Sequence, residues 1–339
     1  MRWVVAAPGP SFSVQDVFTG WCEALRELGQ QVHTFNLDER LSFFGSLLKE
    51  TRTPGMFERA VTAEQSYSMA SDTLYSTLYQ VWPDVLLVIS GFFIPTQLLD
   101  RARRTRTRVV IVHTESPYED DRQVTLAPYA DLNLVNDPTN LHRYPAGTRY
   151  VPHAYRPTLH HPGPADPNLA CDFTFNGTGY GSRIAFFNQM DLAGLDVMLT
   201  GNWNFLDEDS PLRKYVGHDI ETCLDNDKVR ETYWSAKAGI NLYRREAERP
   251  ELAAGWSMGP REVEMAACGL FYLRDPRPEG DELLPMLPTF TSPGDASEQL
   301  RWWLARPDQR DAAARKAREA VAGRTFTANA ADLLRLLDA

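Results

Sequence analysis

Gly259-Pro260-Arg261-Glu262-Val263-Glu264-Met265-Ala266-Ala267-Cys268-Gly269 is the stretch from which the rest of the chain is most readily understood. A glycine and a proline open it and a glycine ends it, which predicts a helix over 262–268 with a turn before it and a stop at Gly269. A helix start leaves free backbone N–H groups and a positive dipole end, and together these bind anions such as phosphate. Gly259 lets an anion come close to the backbone, and Glu264, about one turn inside, is placed to accept hydrogen bonds from a ribose diol next to the phosphate. The same residues also make an ordinary capped helix with acids in its first turn.

Working outward, 270–274 predicts a strand directly after this helix. Before it, 172–176, 196–200 and 239–243 predict strands, and 182–192 and 228–235 predict helices. Helices over 296–305 and 309–321 close the chain's second half. The first half repeats the scheme. An apolar strand at 2–7 ends at Pro8-Gly9-Pro10 and is followed by an amphipathic helix at 14–28 that stops at Gly29. Strands follow at 31–36, 85–90 and 108–113, with a helix from Gly91 to about residue 104. Residues 41–79 read as helical with an insertion around Thr53-Pro54-Gly55. Buried strands alternating with helices predict an α/β fold of parallel βαβ units, with functional loops beyond the carboxyl ends of the strands.

Between the halves, prolines at 152, 157, 162, 164 and 167 predict an exposed linker. The expected organisation is therefore an N-terminal Rossmann-like lobe at 1–152, a Pro-rich linker at 153–168 and a second α/β lobe at 169–324. A C-terminal helix at 325–339 is expected to pack back on the first lobe. A chain of 339 residues is long enough for two such cores. Its composition, 43% hydrophobic and 24% charged, is that of a globular protein.

The scattered cysteines Cys22, Cys171, Cys223 and Cys268 read as buried thiols in a reducing compartment. The apolar run before Pro8 is too short for a signal-peptide core, and no apolar stretch approaches the ~20 residues of a membrane span. The expectation is a cytoplasmic chain. A net charge of −10 disfavours nucleic acid as a partner. The one basic cluster, with five arginines over 101–108, reads as the solvated face of a helix leading into a strand.

The quoted stretch resembles the signature of group-1 glycosyltransferases with the GT-B fold, especially their spore-maturation-type branch. The pattern there is Arg-x-x-Glu-x-x-Ala-Cys-Gly, and Arg261, Glu264, Ala267, Cys268 and Gly269 fill it in order. Residues 172–177 with Arg183, then 197–201 and 231–242, are similar to that family's donor lobe, and the first lobe agrees more loosely. The resemblance implies two Rossmann-like lobes facing across a cleft, and metal-independent transfer from a nucleotide-diphosphate sugar with retention. The donor is a substrate, and no cofactor is implied. It assigns Gly177, Arg183, His218, Gly259, Arg261 and Glu264 to donor binding, with base contacts from 216–219. Many members carry a second glutamate that contacts the donor sugar, eight positions before the one matched by Glu264. Trp256 stands there, which leaves stereochemistry open. Pro260 removes one N–H from the phosphate turn, and a bidentate contact from the Arg261 guanidinium is expected to compensate.

On the first lobe, His113 and Glu115 follow a strand and belong at its carboxyl edge. There His113 is a candidate to donate to a sugar hydroxyl or stabilise developing charge, and Glu115 to position the acceptor or act as a base. Asp16 opens the first helix near the same edge. A core histidine, a loop cap and a first-turn acid are the alternative readings of these three. Gly177-Thr178-Gly179-Tyr180-Gly181 lacks the spacing of a dinucleotide or P-loop site. His160-His161 has no carboxylate or cysteine at ligand spacing, so no metal site is expected. A catalytically silent nucleotide-sugar binder and a DNA-modifying glycosyltransferase remain as alternatives, the latter disfavoured by the acidic balance.

Overall fold

The computed structural model describes residues 1–7, 9, 14–50, 62–220, 224, 226–247 and 250–338. The chain divides into two compact units, one of residues 1–152 and 326–339 and the other of residues 153–325.

The first unit is built on β1 (Arg2–Ala6), α1 (Gln15–Glu27), β2 (Gln31–Phe35), α2 (Leu37–Glu50), α3 (Ala63–Val81) and β3 (Val85–Ile89). It continues through α4 (Thr96–Arg104), β4 (Arg108–His113), α5 (Asp120–Leu126), β5 (Leu132–Val135) and β6 (Arg149–Tyr150). Its six strands lie in the order β2-β1-β3-β4-β5-β6, and every pairing is parallel. All five residues of β3, Val-Leu-Leu-Val-Ile, are buried, as a central strand covered on both faces requires. The sequence patterns missed α5, β5 and β6. β5 is only four residues long and carries Asn133 in its middle, so no apolar run announces it; pairing with β4 makes it a strand. The expected insertion around 53–55 lies outside the described residues.

The second unit contains β7 (Cys171–Asn176), α6 (Gly181–Gln189), β8 (Val197–Thr200), α7 (Asn226–Ser235) and β9 (Ala236–Asn241). α8 (Pro260–Cys268), β10 (Tyr272–Arg274), α9 (Pro278–Leu283), α10 (Pro293–Leu304) and α11 (Pro307–Ala320) follow. Its sheet is parallel in the order β10-β9-β7-β8. Two strand boundaries differ from expectation. β9 begins at Ala236, directly from α7, so Leu242 and Tyr243 lie beyond its carboxyl end in loop. β10 begins at Tyr272 because Leu270 is used to close α8: Gly269 is left-handed (φ 82) and Leu270 N–H donates to Met265 O at 3.0 Å. The proline-rich segment is not exposed throughout, since Leu159 and His160 within it are 4% and 3% exposed.

The last helix, α12 (Phe326–Asp338), belongs to the first unit. Phe326 sits edge-on to Trp21 in the space left by Gly20, and Asn329 Nδ2 donates to Pro152 O at 2.9 Å. No helix among the described residues is long and apolar enough to cross a membrane.

Candidate functional site

In the second unit the residues of interest gather where β7, β8 and β9 end. Gly177 follows β7 and donates its N–H to Thr200 O at 2.9 Å. Gly201 follows β8 with φ +106, and a Cβ there would stand 2.5 Å from Gly177 O. Both the backbone angle and the contact demand glycine, so the two loops press backbone against backbone. His218 secures the second loop. Its Nε2 accepts the Gly201 N–H at 3.2 Å, which puts the ring hydrogen on Nδ1, 2.8 Å from Asp219 O. His218 therefore spends both ring nitrogens on backbone.

Arg183 was expected at a diphosphate. The structure places it as a strut instead: Nε and Nη2 donate to Leu242 O at 3.1 and 2.6 Å, and Nη1 donates to Thr178 O at 3.0 Å. Carbonyls at the ends of β7 and β9 lack ladder partners, and a five-donor guanidinium satisfies them together. Beside it is a cavity of about 470 Å³ lined by Arg183, Leu242, Tyr243, Phe290 and the Arg245–Asp275 pair. In that pair Arg245 Nη2 reaches both Asp275 oxygens, at 2.8 and 2.7 Å.

The start of α8 also departs from expectation. Gly259 is the N-cap, but its N–H is already taken by the Glu262 carboxylate at 2.9 Å. Pro260 has no N–H, and Glu262 N–H turns back to Gly259 O at 3.2 Å. The open anion cradle is thus largely filled by the chain's own third helical residue, the reciprocal half of a capping box. Glu262 also accepts the Tyr243 hydroxyl, and its Oε1 is buried with no partner among the described residues. It is fully buried, and burial pushes its carboxyl up to about 7 against the pull of Tyr243, Gly259 and Arg274. A second carboxylate stands next door. Glu279 accepts Met258 N–H at 2.8 Å and pairs with Arg324 at 2.6 Å. Arg274, 2% exposed, pairs with Asp281 at 2.9 Å and keeps Nε and Nη1 unpartnered among the described residues.

One turn on, Arg261 and Glu264 meet. Nη1 of Arg261 lies 2.6 Å from Glu264 Oε2, with the side chains 25% and 5% exposed. The family resemblance assigns these two residues separate ligand roles, and the helix, at spacing i, i+3, makes them partners. Tyr233 lies against this pair. Its hydroxyl accepts from Asn176 Nδ2 at 3.2 Å, and burial pushes its phenol up. The fold also brings a histidine here that sequence spacing had dismissed: His160 has a ring nitrogen within 4.8 Å of a Glu264 carboxylate oxygen. Cys268, at the far end of α8, is buried and its thiol pushed up to about 12, as are Cys22 and Cys171. These three are the inert buried thiols expected; Cys223 lies outside the described residues.

In the first unit, His113 is the last residue of β4 and is fully buried. Asn133 Nδ2 is committed to Ala127 O at 3.0 Å, so Asn133 Oδ1 is the acceptor of the His113 Nε2 hydrogen at 2.8 Å. Burial pushes the ring down to about 4, so it is neutral at physiological pH and its Nδ1 is a bare, buried acceptor without a partner among the described residues. The expected donor to a sugar is corrected to an acceptor enclosed in the core. Tyr144 packs edge-on to the ring and donates to Asp120 Oδ1 at 2.6 Å, while Gln123 Nε2 donates to the Tyr144 hydroxyl at 3.0 Å. Gln123 also takes the Glu115 N–H at 3.0 Å, which fixes the loop on which Glu115 stands half-buried. Asp16 lies in the first turn of α1, 9% exposed, where the helix dipole favours a negative charge.

Sequence reasoning missed Tyr233, Tyr243 and the Asp120–Gln123–Tyr144 network. Only Glu262 carried a signal, as an acid three residues after an N-cap glycine.

Comparison with known proteins bears on the fold and on the second unit. Residues 183–335 match the glycosyl transferase-like family model. A search of the curated proteins gave no match. Among solved structures, the chain is similar to sucrose-phosphate synthase from Thermosynechococcus elongatus, with TM-score 0.66 and 12% identity over 99% of this chain and 98% of that one. An alpha-glucosyltransferase in complex with UDP gives TM-score 0.63 and 12% identity over 99% and 98%. The glycosyltransferase SnogD from Streptomyces nogalater gives 0.52 and 15% over 99% of each. The fold is GT-B, with two Rossmann-like parallel-sheet units. The family match within that fold supports a glycosyltransferase, and does not single out the spore-maturation branch.

Proposed function

We propose that the chain transfers a sugar from a nucleotide-diphosphate sugar to an acceptor hydroxyl, with the donor held on the second unit. The observation that carries this is the Arg261–Glu264 pair on α8, inside the family-matched segment and one turn from a helix start. In this reading the donor exchanges partners with the pair. The guanidinium turns from Glu264 to the diphosphate, which takes the electron pair as the anomeric C–O bond breaks, and the freed carboxylate accepts from both ribose hydroxyls. Gly177 and Gly201 form the floor on which the phosphates lie against backbone. Because Glu262 fills the helix start, side-chain charge rather than the N-terminal amides carries most of the anion binding. A UDP complex is known for one structural neighbour, and a uridine nucleotide is the first donor to try.

No divalent ion is required in this reading, since arginine supplies the countercharge. Retention at the anomeric carbon is the proposed outcome, with the acceptor oxygen entering from the face that the diphosphate leaves. Glu115 is the proposed acceptor-side group, and takes the acceptor's proton as the new C–O bond forms. Gln123 holds the loop that presents it, His113 ends the strand that leads into that loop, and Asp16 is the remaining acceptor-side candidate. A cytoplasmic location fits the buried, reduced thiols. The departure at Trp256 favours one other reading, a nucleotide-sugar binder without transfer. The test is calorimetric titration with nucleoside diphosphates in chelator, followed by product analysis with a donor sugar. Binding that survives chelator is expected, and binding lost in chelator would overturn the metal-free reading. Donor hydrolysis without transfer to any acceptor would identify the silent binder.

A further inference from the structure

α3 carries two stripes. Ala70, Leu74 and Leu78 are buried in the first unit's core. Tyr75, Tyr79 and Trp82 follow one another on a neighbouring face, with the two tyrosine hydroxyls 2.9 Å apart and Tyr79 edge-on to Trp82 at 5.5 Å. Trp82 caps the helix in the left-handed conformation (φ 49, ψ 61), where glycine is at ease and a large side chain is strained. It is nevertheless 55% exposed, and Tyr79 is 45% exposed. Strain and exposure at one residue bring the isolated molecule no return.

Positive charge frames these rings. The Arg101 guanidinium lies 5.3 Å from the Tyr75 ring centre, and Arg2 Nη1 donates to Val81 O at 3.1 Å. Arg106, exposed and also left-handed (φ 63), precedes Thr107, whose hydroxyl donates to Pro83 O at 3.1 Å. The surface lies where β1, β3 and β4 begin, at the sheet edge opposite the loops expected to carry chemistry. Aromatic rings with arginine are the composition of interface hot spots.

A complementary surface exists on the second unit. In the loop after β8, Phe205 is 62% exposed and is followed by the exposed acids Asp207, Glu208 and Asp209. Arg213 pins this loop by its backbone, with Nε on Asp207 O at 2.8 Å and Nη2 on Leu206 O at 3.0 Å. The acids are therefore displayed from a braced loop rather than consumed by it.

We propose that the aromatic and arginine surface of one copy receives the 205–209 loop of a second copy, head to tail. Two chains of net charge −10 repel as wholes, so the attraction is local and acts within the Debye length of about 8 Å at physiological salt. Such a contact, heterologous and small, gives reversible association that grows with concentration.

Sedimentation of the full chain from low-micromolar to near-millimolar concentration tests this. The expected result is a weight-average mass that rises with concentration and falls with salt, with each of W82S, R101E, F205S and E208K weakening association roughly tenfold or more. A W82S/R101E chain and an F205S/E208K chain, each with parental circular dichroism, should each remain monomeric. Their equimolar mixture should form a dimer that grows no further, because each chain keeps one intact half. A parent that stays monomeric throughout, or variants that associate as the parent does, would overturn the proposal. So would a monomeric parent that co-sediments through Trp82 with vesicles containing anionic phosphatidylglycerol, since the occupant would then be a membrane surface.

Discussion

Replacing Glu262 by glutamine isolates the most heavily perturbed carboxylate of the second unit. Burial raises its carboxyl to about 7 from the ordinary 4.5 for glutamate. Between those values the folded chain binds more protons than the unfolded one, so this group's contribution to stability is present below about 4.5 and lost as pH rises through about 7. At ~1.4 kcal/mol for each factor of ten in the proton equilibrium, the loss by pH 8 is about 3 kcal/mol. Glutamine keeps an oxygen to accept from Gly259 N–H and the Tyr243 hydroxyl. Its NH₂ group takes the place of the unpartnered Oε1 near Arg274, at a cost of about 1 kcal/mol. The variant is therefore expected to be slightly less stable than the parent at pH 5 and more stable by roughly 2 kcal/mol at pH 8. Denaturant unfolding of both chains at the two pH values measures this, and the other carboxylates cancel in the difference. A parent-to-variant difference that does not change sign with pH would refute the argument, because it would mean that Glu262 is ionised in the fold at little cost.

Donor binding responds to the pair one turn on. Glu264→Gln and Arg261→Lys each remove a charge-assisted contact, so nucleotide-diphosphate affinity falls about ten- to a hundredfold by calorimetry; ligand-free Glu264→Gln also melts below the parent, because Arg261 loses its charged partner, while circular dichroism stays parental. Unchanged affinity in both would place the donor elsewhere. Gly201→Ala forces a Cβ within 2.5 Å of Gly177 O at φ +106, so a stability loss of about 1–3 kcal/mol is expected in thermal unfolding. His113 is neutral above about 4, so the rate of transfer carries no inflection from it between neutral pH and mild acid. An inflection in the parent profile that disappears in His113→Gln would contradict this.

Periodicity and punctuation in the sequence by themselves determined most of the architecture. Apolar runs such as 85–89 and 109–112, strand-sized and alternating with helices, point to buried parallel strands, and Gly259, Pro260 and Gly269 bracket one helix, because hydrophobic spacing and backbone-restricting residues act locally. The residue types of the candidate donor site are legible through the resemblance of 261–269 to a family signature, since the helix-start pattern alone fits an ordinary capped helix equally well. The sequence did not reveal how the polar groups pair. Glu262 receives Tyr243, Arg183 bridges the ends of β7 and β9, and Asn133 fixes the tautomer of His113. Each joins different elements of the fold, and its geometry exists only once the sheet has set the strand ends side by side. Burial was also hidden, although it decides the protonation of Glu262 and His113. Desolvation depends on everything packed around a group, so identical residues in the sequence acquire their charges only in the tertiary structure.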